Sequence, residues 1–167
     1  KYVDRNGANL IALYDRVEVS IESIPDEDPQ ASSQIAYGFT LPNQGLIHMR
    51  YMLASSPNTP DQISLIRGLD INIQLIHQIA AEMKAEHERG NEPGVRQKAE
   101  AILNLLAGDQ SPDYKDWDGD GEILDPSDGY GLLPDDSQTG YLQALYSEAA
   151  LAANSSGATS NMIKHGE

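Results

Sequence analysis

The chain has 167 residues, with 26 acidic side chains against 11 basic ones and a net charge of minus 15. That balance argues against nucleic acid and against anionic membranes, which are held by clustered Lys and Arg. Cysteine is absent, which excludes disulfides, thiolate zinc sites and covalently attached c-type haem. With eight Tyr, one Trp and one Phe, the core falls to Leu, Ile, Ala and Met, a composition that suits helices.

In chain order, Leu10, Leu13, Val17, Ile21 and Ile24 recur at three or four residues and predict a first helix over 8–24, ended by Pro25. Residues 25–44 read as a connection rich in Pro, Asp and Ser, with a weak helical signal over Gln30 to Tyr37. A second helix is predicted over Leu46 to Ser55 and is broken at Ser56-Pro57. Thr59-Pro60-Asp61-Gln62 resembles a capping box, and behind it Ile66, Leu69, Ile73, Ile76, Ala80, Met83 and His87 trace the seam of a third helix. Pro93 opens a fourth, with Val95, Ala99, Ile102 and Leu106 on one face, closed by Ala107-Gly108. A fifth is predicted from Thr139 to Ala153, with Leu142, Leu145, Ala149 and Ala152 inward, and a short last helix carries Met162 and His165.

No beta alternation and no internal repeat stands out. The expected fold is therefore all-α: a single domain over 1–167, an antiparallel helical bundle of four to five main helices. An acidic loop over 113–136 joins the last two main helices.

That loop carries the chemistry. In Asp116-Trp-Asp118-Gly-Asp120-Gly-Glu122-Ile-Leu-Asp125-Pro-Ser-Asp128-Gly-Tyr130-Gly, acids fall at every second residue and a glycine sits at the sixth position. Calcium takes six to eight oxygens at about 2.3 to 2.6 Å, and this spacing wraps one ion. Asp and Gly also populate ordinary turns, where the Asx side chain bonds its own backbone. An ordinary turn does not concentrate charge to this extent: from Asp113 to Asp136 there are nine acids and one base, Lys115. Trp117 and Tyr130 flank the acids and read as apolar pins holding the loop to the bundle.

The motif resembles the calcium loop of EF-hand and bacterial dockerin modules, on Asp116, Asp118, Asp120, Gly121 and Ile123. The resemblance implies a Ca2+ site in which Glu122 offers its backbone carbonyl. At the twelfth position, where those loops carry a bidentate acid, stands Ser127; either Asp128 closes the cage, with Pro126 and Gly129 bending the chain, or Asp125 substitutes for it. The implied metal ligands are thus Asp116, Asp118, Asp120, Glu122 and Asp128. Thrombospondin-type calcium repeats are similar only in the opening half. Over a longer stretch, Lys98-Ala-Glu-Ala-Ile-Leu-Asn-Leu-Leu and the acidic loop resemble a group of bacterial secreted helical proteins in which a His-Ala-Glu tripeptide opens the fourth helix. Lys98 takes that first position here, and His165 stands near the place of another histidine of the group.

A rival reading is a bundle that carries a transition metal or non-covalent haem on His48, His77 and His165, with neighbouring Met residues. It lacks the Glu-x-x-His pairs of di-iron bundles, and HExxH, Gly-x-Ser-x-Gly and P-loop motifs are absent from the sequence. Glu100 and Asn104, one turn apart, read as polar groups that either face the loop or the histidines or, as the preferred reading, stand at the solvent edge of the fourth helix. A loop with an imperfect twelfth ligand suits the high free calcium outside cells. Starting at Lys1 and showing no signal peptide or apolar run long enough for a bilayer, the chain reads as a secreted or surface-tethered domain whose leader was removed, or as an excised piece. The expected function is a non-enzymatic extracellular module, braced by calcium for partner binding or assembly with other protein subunits at the cell surface.

Overall fold

The computed structural model describes residues 4–25, 27–136 and 138–166. Helices make up about 48% of the chain, and a two-stranded antiparallel sheet accompanies them. The order is α1 (Leu10–Leu13), β1 (Arg16–Ser20), β2 (Ile35–Thr40), α2 (Asn43–Leu53), a 3-10 turn (Pro60–Gln62), α3 (Leu65–Glu88), α4 (Glu92–Ala107), α5 (Gly140–Ala153) and α6 (Ser160–His165). The fold is mixed, which corrects the all-α expectation.

The correction falls on the first forty residues. Only one turn of the helix expected over 8–24 forms, and β1 takes Arg16–Ser20; the weak helix expected over Gln30 to Tyr37 gives way to β2 from Ile35. The physical reason is a competing period. Val17, Val19 and Ile21 alternate at every second residue, as do Ile35, Tyr37 and Phe39, and branched or aromatic side chains pack well on a pleated surface. Register pairs Val17 with Phe39 and Val19 with Tyr37, so these side chains share one face. All of them are exposed, and the principal packing of each strand is against the other.

The helices form the body. Joined by a tight turn at Gly90, α3 and α4 make a helical hairpin; α2 and α5 pack together, and α5 bridges to α3 and α6. The core comprises Leu65, Ile79, Ala101, Leu105, Leu132 and Tyr141. The inward face of α3 carries Leu65, Gly68, Asn72 and Ile79, while Ile66 and Ile73 of the expected seam are exposed. Gly68 has a packing reason: a Cβ there would collide with the ring of Tyr141, which fills the notch between α3 and α5. The α3 cap is Ser64, whose hydroxyl accepts from the Arg67 amide at 3.3 Å. Thr59 does not cap it; its hydroxyl bonds the Ser56 and Ile63 carbonyls and ties off the preceding turn.

Candidate metal centre

The inward face of α4 is partly polar. Glu100 is 2% exposed and Asn104 0%, and they flank the apolar Ala101 and Leu105. Their position at a solvent edge is therefore overturned: both face the acidic loop and organise it. One oxygen of Glu100 accepts the amides of Trp117 at 2.7 Å and Asp118 at 3.1 Å, and the other accepts that of Leu124 at 2.8 Å. Asn104 accepts from the Lys115 amide at 3.1 Å and donates to the carbonyls of Lys115 and Leu124 at 3.1 and 3.2 Å. Two side chains one helical turn apart thus hold the start and the middle of the loop, satisfying backbone groups that irregular structure would otherwise leave unpaired.

Between those anchors the loop curls on its own carboxylates. Asp116 accepts from the amides of Gly119 at 2.5 Å and Gly121 at 2.9 Å. Both glycines have positive φ, 78° and 94°, which bends the chain around the acid. Asp118 accepts from the Asp120 amide at 3.1 Å, and Asp120 from that of Glu122 at 2.8 Å. The far end returns to the C-terminus of α4, where the amides of Leu132 and Leu133 donate to the Leu106 carbonyl at 3.1 and 3.0 Å.

Asp116 and Asp118 come together with Glu100, their ligand-capable oxygens all within 4.8 Å of one another. Among the described residues this is the group of three or more carboxylates, imidazoles or thiols with metal-holding geometry. Asp120 and Glu122 are exposed, and their carboxylates are not in that group. Asp128 points elsewhere: it accepts from the Tyr141 hydroxyl at 2.6 Å and from the Tyr130 amide at 3.1 Å. Asp125 accepts from the Ser127 amide at 2.8 Å and sits beside Tyr114. Burial together with Asp125 and Asp109 pushes the Tyr114 hydroxyl above its ordinary value. Burial and the bond to Asp128 raise Tyr141 further still.

The donor set fits a hard cation. It is all oxygen, with one carboxylate buried and two half-buried. Two unit charges about 4 Å apart repel by about 4 kcal/mol at an effective dielectric of ~20. Amide donors offset part of that for Glu100 and Asp116. The Lys115 ammonium makes its direct contacts outside the cluster, 3.9 Å above the Trp117 ring and 3.5 Å from Asp113. The bonds to Glu100 use three of the roughly four lone-pair positions of a carboxylate and leave one for a ligand.

Of the two aromatic pins, Tyr130 packs against the core and meets Tyr141 with ring centroids 4.6 Å apart. Trp117 is 44% exposed and folds back on the loop, its indole donating to the Asp113 carbonyl at 3.1 Å. The histidines are distributed. His48 bonds Glu148 across α2 and α5 at 2.7 Å, His77 is exposed on α3, and His165 is exposed on α6. Lys98 reaches Glu82 on α3 at 2.6 Å and pulls that carboxylate below its usual range.

Among the described residues no helix is long and apolar enough to cross a membrane. The chain matches no protein-family model, no curated protein and no solved structure, so its function is read from this geometry.

Proposed function

We propose that the protein is an extracellular calcium-binding module without enzymatic activity, in which the ion braces the acidic loop against α4 for assembly or partner binding at the cell surface. The observation that carries this reading is the convergence of Glu100, Asp116 and Asp118 within 4.8 Å. In it Asp116 and Asp118 act as the ligands expected from the spacing, and Glu100 supplies the carboxylate that Ser127 does not. Asp120 and the Glu122 carbonyl complete the loop's offer of oxygens, and Asp128 serves as the tether of the loop's far end to Tyr141. Calcium, when bound, supplies the positive charge that lets the three carboxylates share one place. The exposed apolar face of the β1–β2 hairpin supports the interaction half of the reading, since contiguous apolar surface marks contact sites.

The test is thermal unfolding of protein stripped of metal, with and without calcium, beside elemental analysis of protein purified without chelator. A ligand at a hundred times its Kd stabilises by about 2.7 kcal/mol. The expected result is a higher Tm with calcium, reversed by chelator and lost in the Asp116→Asn, Asp118→Asn double variant. An unchanged melt with no bound calcium would overturn the reading.

A further inference from the structure

A cavity lies where α2, α5 and α6 meet. It has a volume of about 280 Å3 and is lined by Met49, Met52, Met162 and His165, with small residues such as Ala149 and Ala152 leaving the space between them. Three of the four methionines in the chain face this one cavity. The two pairs come from different helices, each at a spacing of three residues that puts its members on one face.

The approach of the helices is built for that meeting. Gly45 lies on the same face of α2 as Met49 and Met52, and a Cβ there would collide with the methyl of Met162. The glycine therefore lets the Met162 thioether close on α2. On the other side α6 is capped by Thr159, whose hydroxyl accepts from the Met162 amide at 3.3 Å, which fixes the turn that carries Met162 and His165. Methionine ordinarily fills gaps in a core. Here Met52 also packs against the core, yet all three methionines line one open space, with an exposed imidazole at its edge.

The chemistry of this lining is the opposite of the acidic loop's. It contains no carboxylate. Thioethers with one imidazole form a soft, uncharged donor set, which favours cuprous copper over the hard cations calcium and magnesium. His48 is already engaged by Glu148, so the imidazole of this set is His165.

We propose that Met49, Met52, Met162 and His165 form a binding site for one cuprous ion, separate from the calcium loop and independent of it. The test is an anaerobic titration of the intact chain with Cu(I) against a chromophoric Cu(I) chelator, with calcium present throughout. The expected result is one equivalent of Cu(I) retained, with copper–sulfur scattering in the X-ray absorption spectrum. Replacing all three methionines by Leu preserves volume, and should weaken retention by more than the roughly tenfold that loss of an outer-shell partner costs a metal site. Met162→Leu alone and His165→Asn give the same direction with the least disturbance of packing, while Met83→Leu, on α3, leaves affinity unchanged. Failure to retain Cu(I) in competition, or full retention by the folded triple variant, overturns the proposal.

Discussion

The acidic loop and the β1–β2 hairpin invert the usual association of regularity with anchorage. Among its described residues the loop between Gly108 and Thr139 has no regular secondary structure and is densely acidic, yet its backbone is fastened to α4 at Glu100, Asn104 and Leu106. The hairpin has regular antiparallel pairing from Arg16 to Val19, with one register shift before Ser20, and is apolar on one face, yet its packing is chiefly internal. Anchorage here follows buried polar side chains that answer the backbone. A two-stranded ribbon is at best marginally stable alone, whereas a loop whose amides end on a buried carboxylate shares the stability of the helix beneath it.

The largest expected effect tests that anchorage directly. Glu100→Ala leaves the amides of Trp117, Asp118 and Leu124 without their acceptor, and an orphaned buried donor costs about 1–3 kcal/mol. The expected loss is about 3 kcal/mol or more in urea unfolding, with a smaller loss for Glu100→Gln, which keeps one acceptor oxygen. A cost below about 1 kcal/mol would mean that the loop and the hairpin are equally loose.

Next comes the charge itself, through a change of sign. With calcium present, the Asp116→Asn, Asp118→Asn variant forfeits the ion's contribution, about 2.7 kcal/mol at a hundredfold excess over Kd. Without calcium the same substitutions relieve repulsion between clustered carboxylates and should raise stability. Melting curves of both proteins in both conditions should therefore cross. Parallel shifts would identify the acids as ordinary turn formers.

A smaller effect belongs to Tyr141, which links the loop's far end to the core. Its folded pKa is raised, so the neutral hydroxyl is the form the fold favours. The contribution is complete below the unfolded value of about 10 and declines as pH rises above it, because the unfolded chain then releases a proton that the folded one keeps. Tyr141→Phe removes a hydrogen bond to a carboxylate, at a cost of about 1.5 kcal/mol at neutral pH. It should also flatten the decline in stability above about pH 10, measured by urea unfolding across the alkaline range.

The two regions also differ in what their residues disclose. Asp116 and Asp118, which the structure brings together with Glu100, could be singled out because alternating acids and glycines form a local pattern, and the local sequence carries it. Glu100 was legible only as an alternative: a solvent edge was preferred to a place facing the loop, since glutamate is almost never fully buried unless paired, and its partners lie seventeen to twenty-four residues away. The available signal was that Glu100 and Asn104 each precede a core residue, Ala101 and Leu105, and so share most of that face. In the hairpin, Leu10, Leu13, Val17, Ile21 and Ile24 satisfy a helical period while Val17, Val19 and Ile21 satisfy a strand period. The sequence window contains both, and pairing with a segment some twenty residues downstream decides between them. Similarly, the α3 seam was displaced by about one residue because Gly68 and Asn72, neither of them apolar markers, lie at the centre of the buried face.

The smallest effect is expected where the surface is most apolar. Val17→Thr with Val19→Thr keeps the branched shape that suits a strand and removes methyl groups from a face already in water. Since the body's core does not include these residues, unfolding followed by helical circular dichroism should shift by no more than about 0.5 kcal/mol. Leu105→Ala, at a site with no exposure, should cost about 2–5 kcal/mol in the same assay. A hairpin variant that costs more than about 1 kcal/mol would show that the strands lean on the helices and that their apolar face is part of the body's own packing. A negligible cost leaves that face dispensable to the body, so that what keeps Val17, Val19, Tyr37 and Phe39 apolar must be sought in contacts made outside this fold.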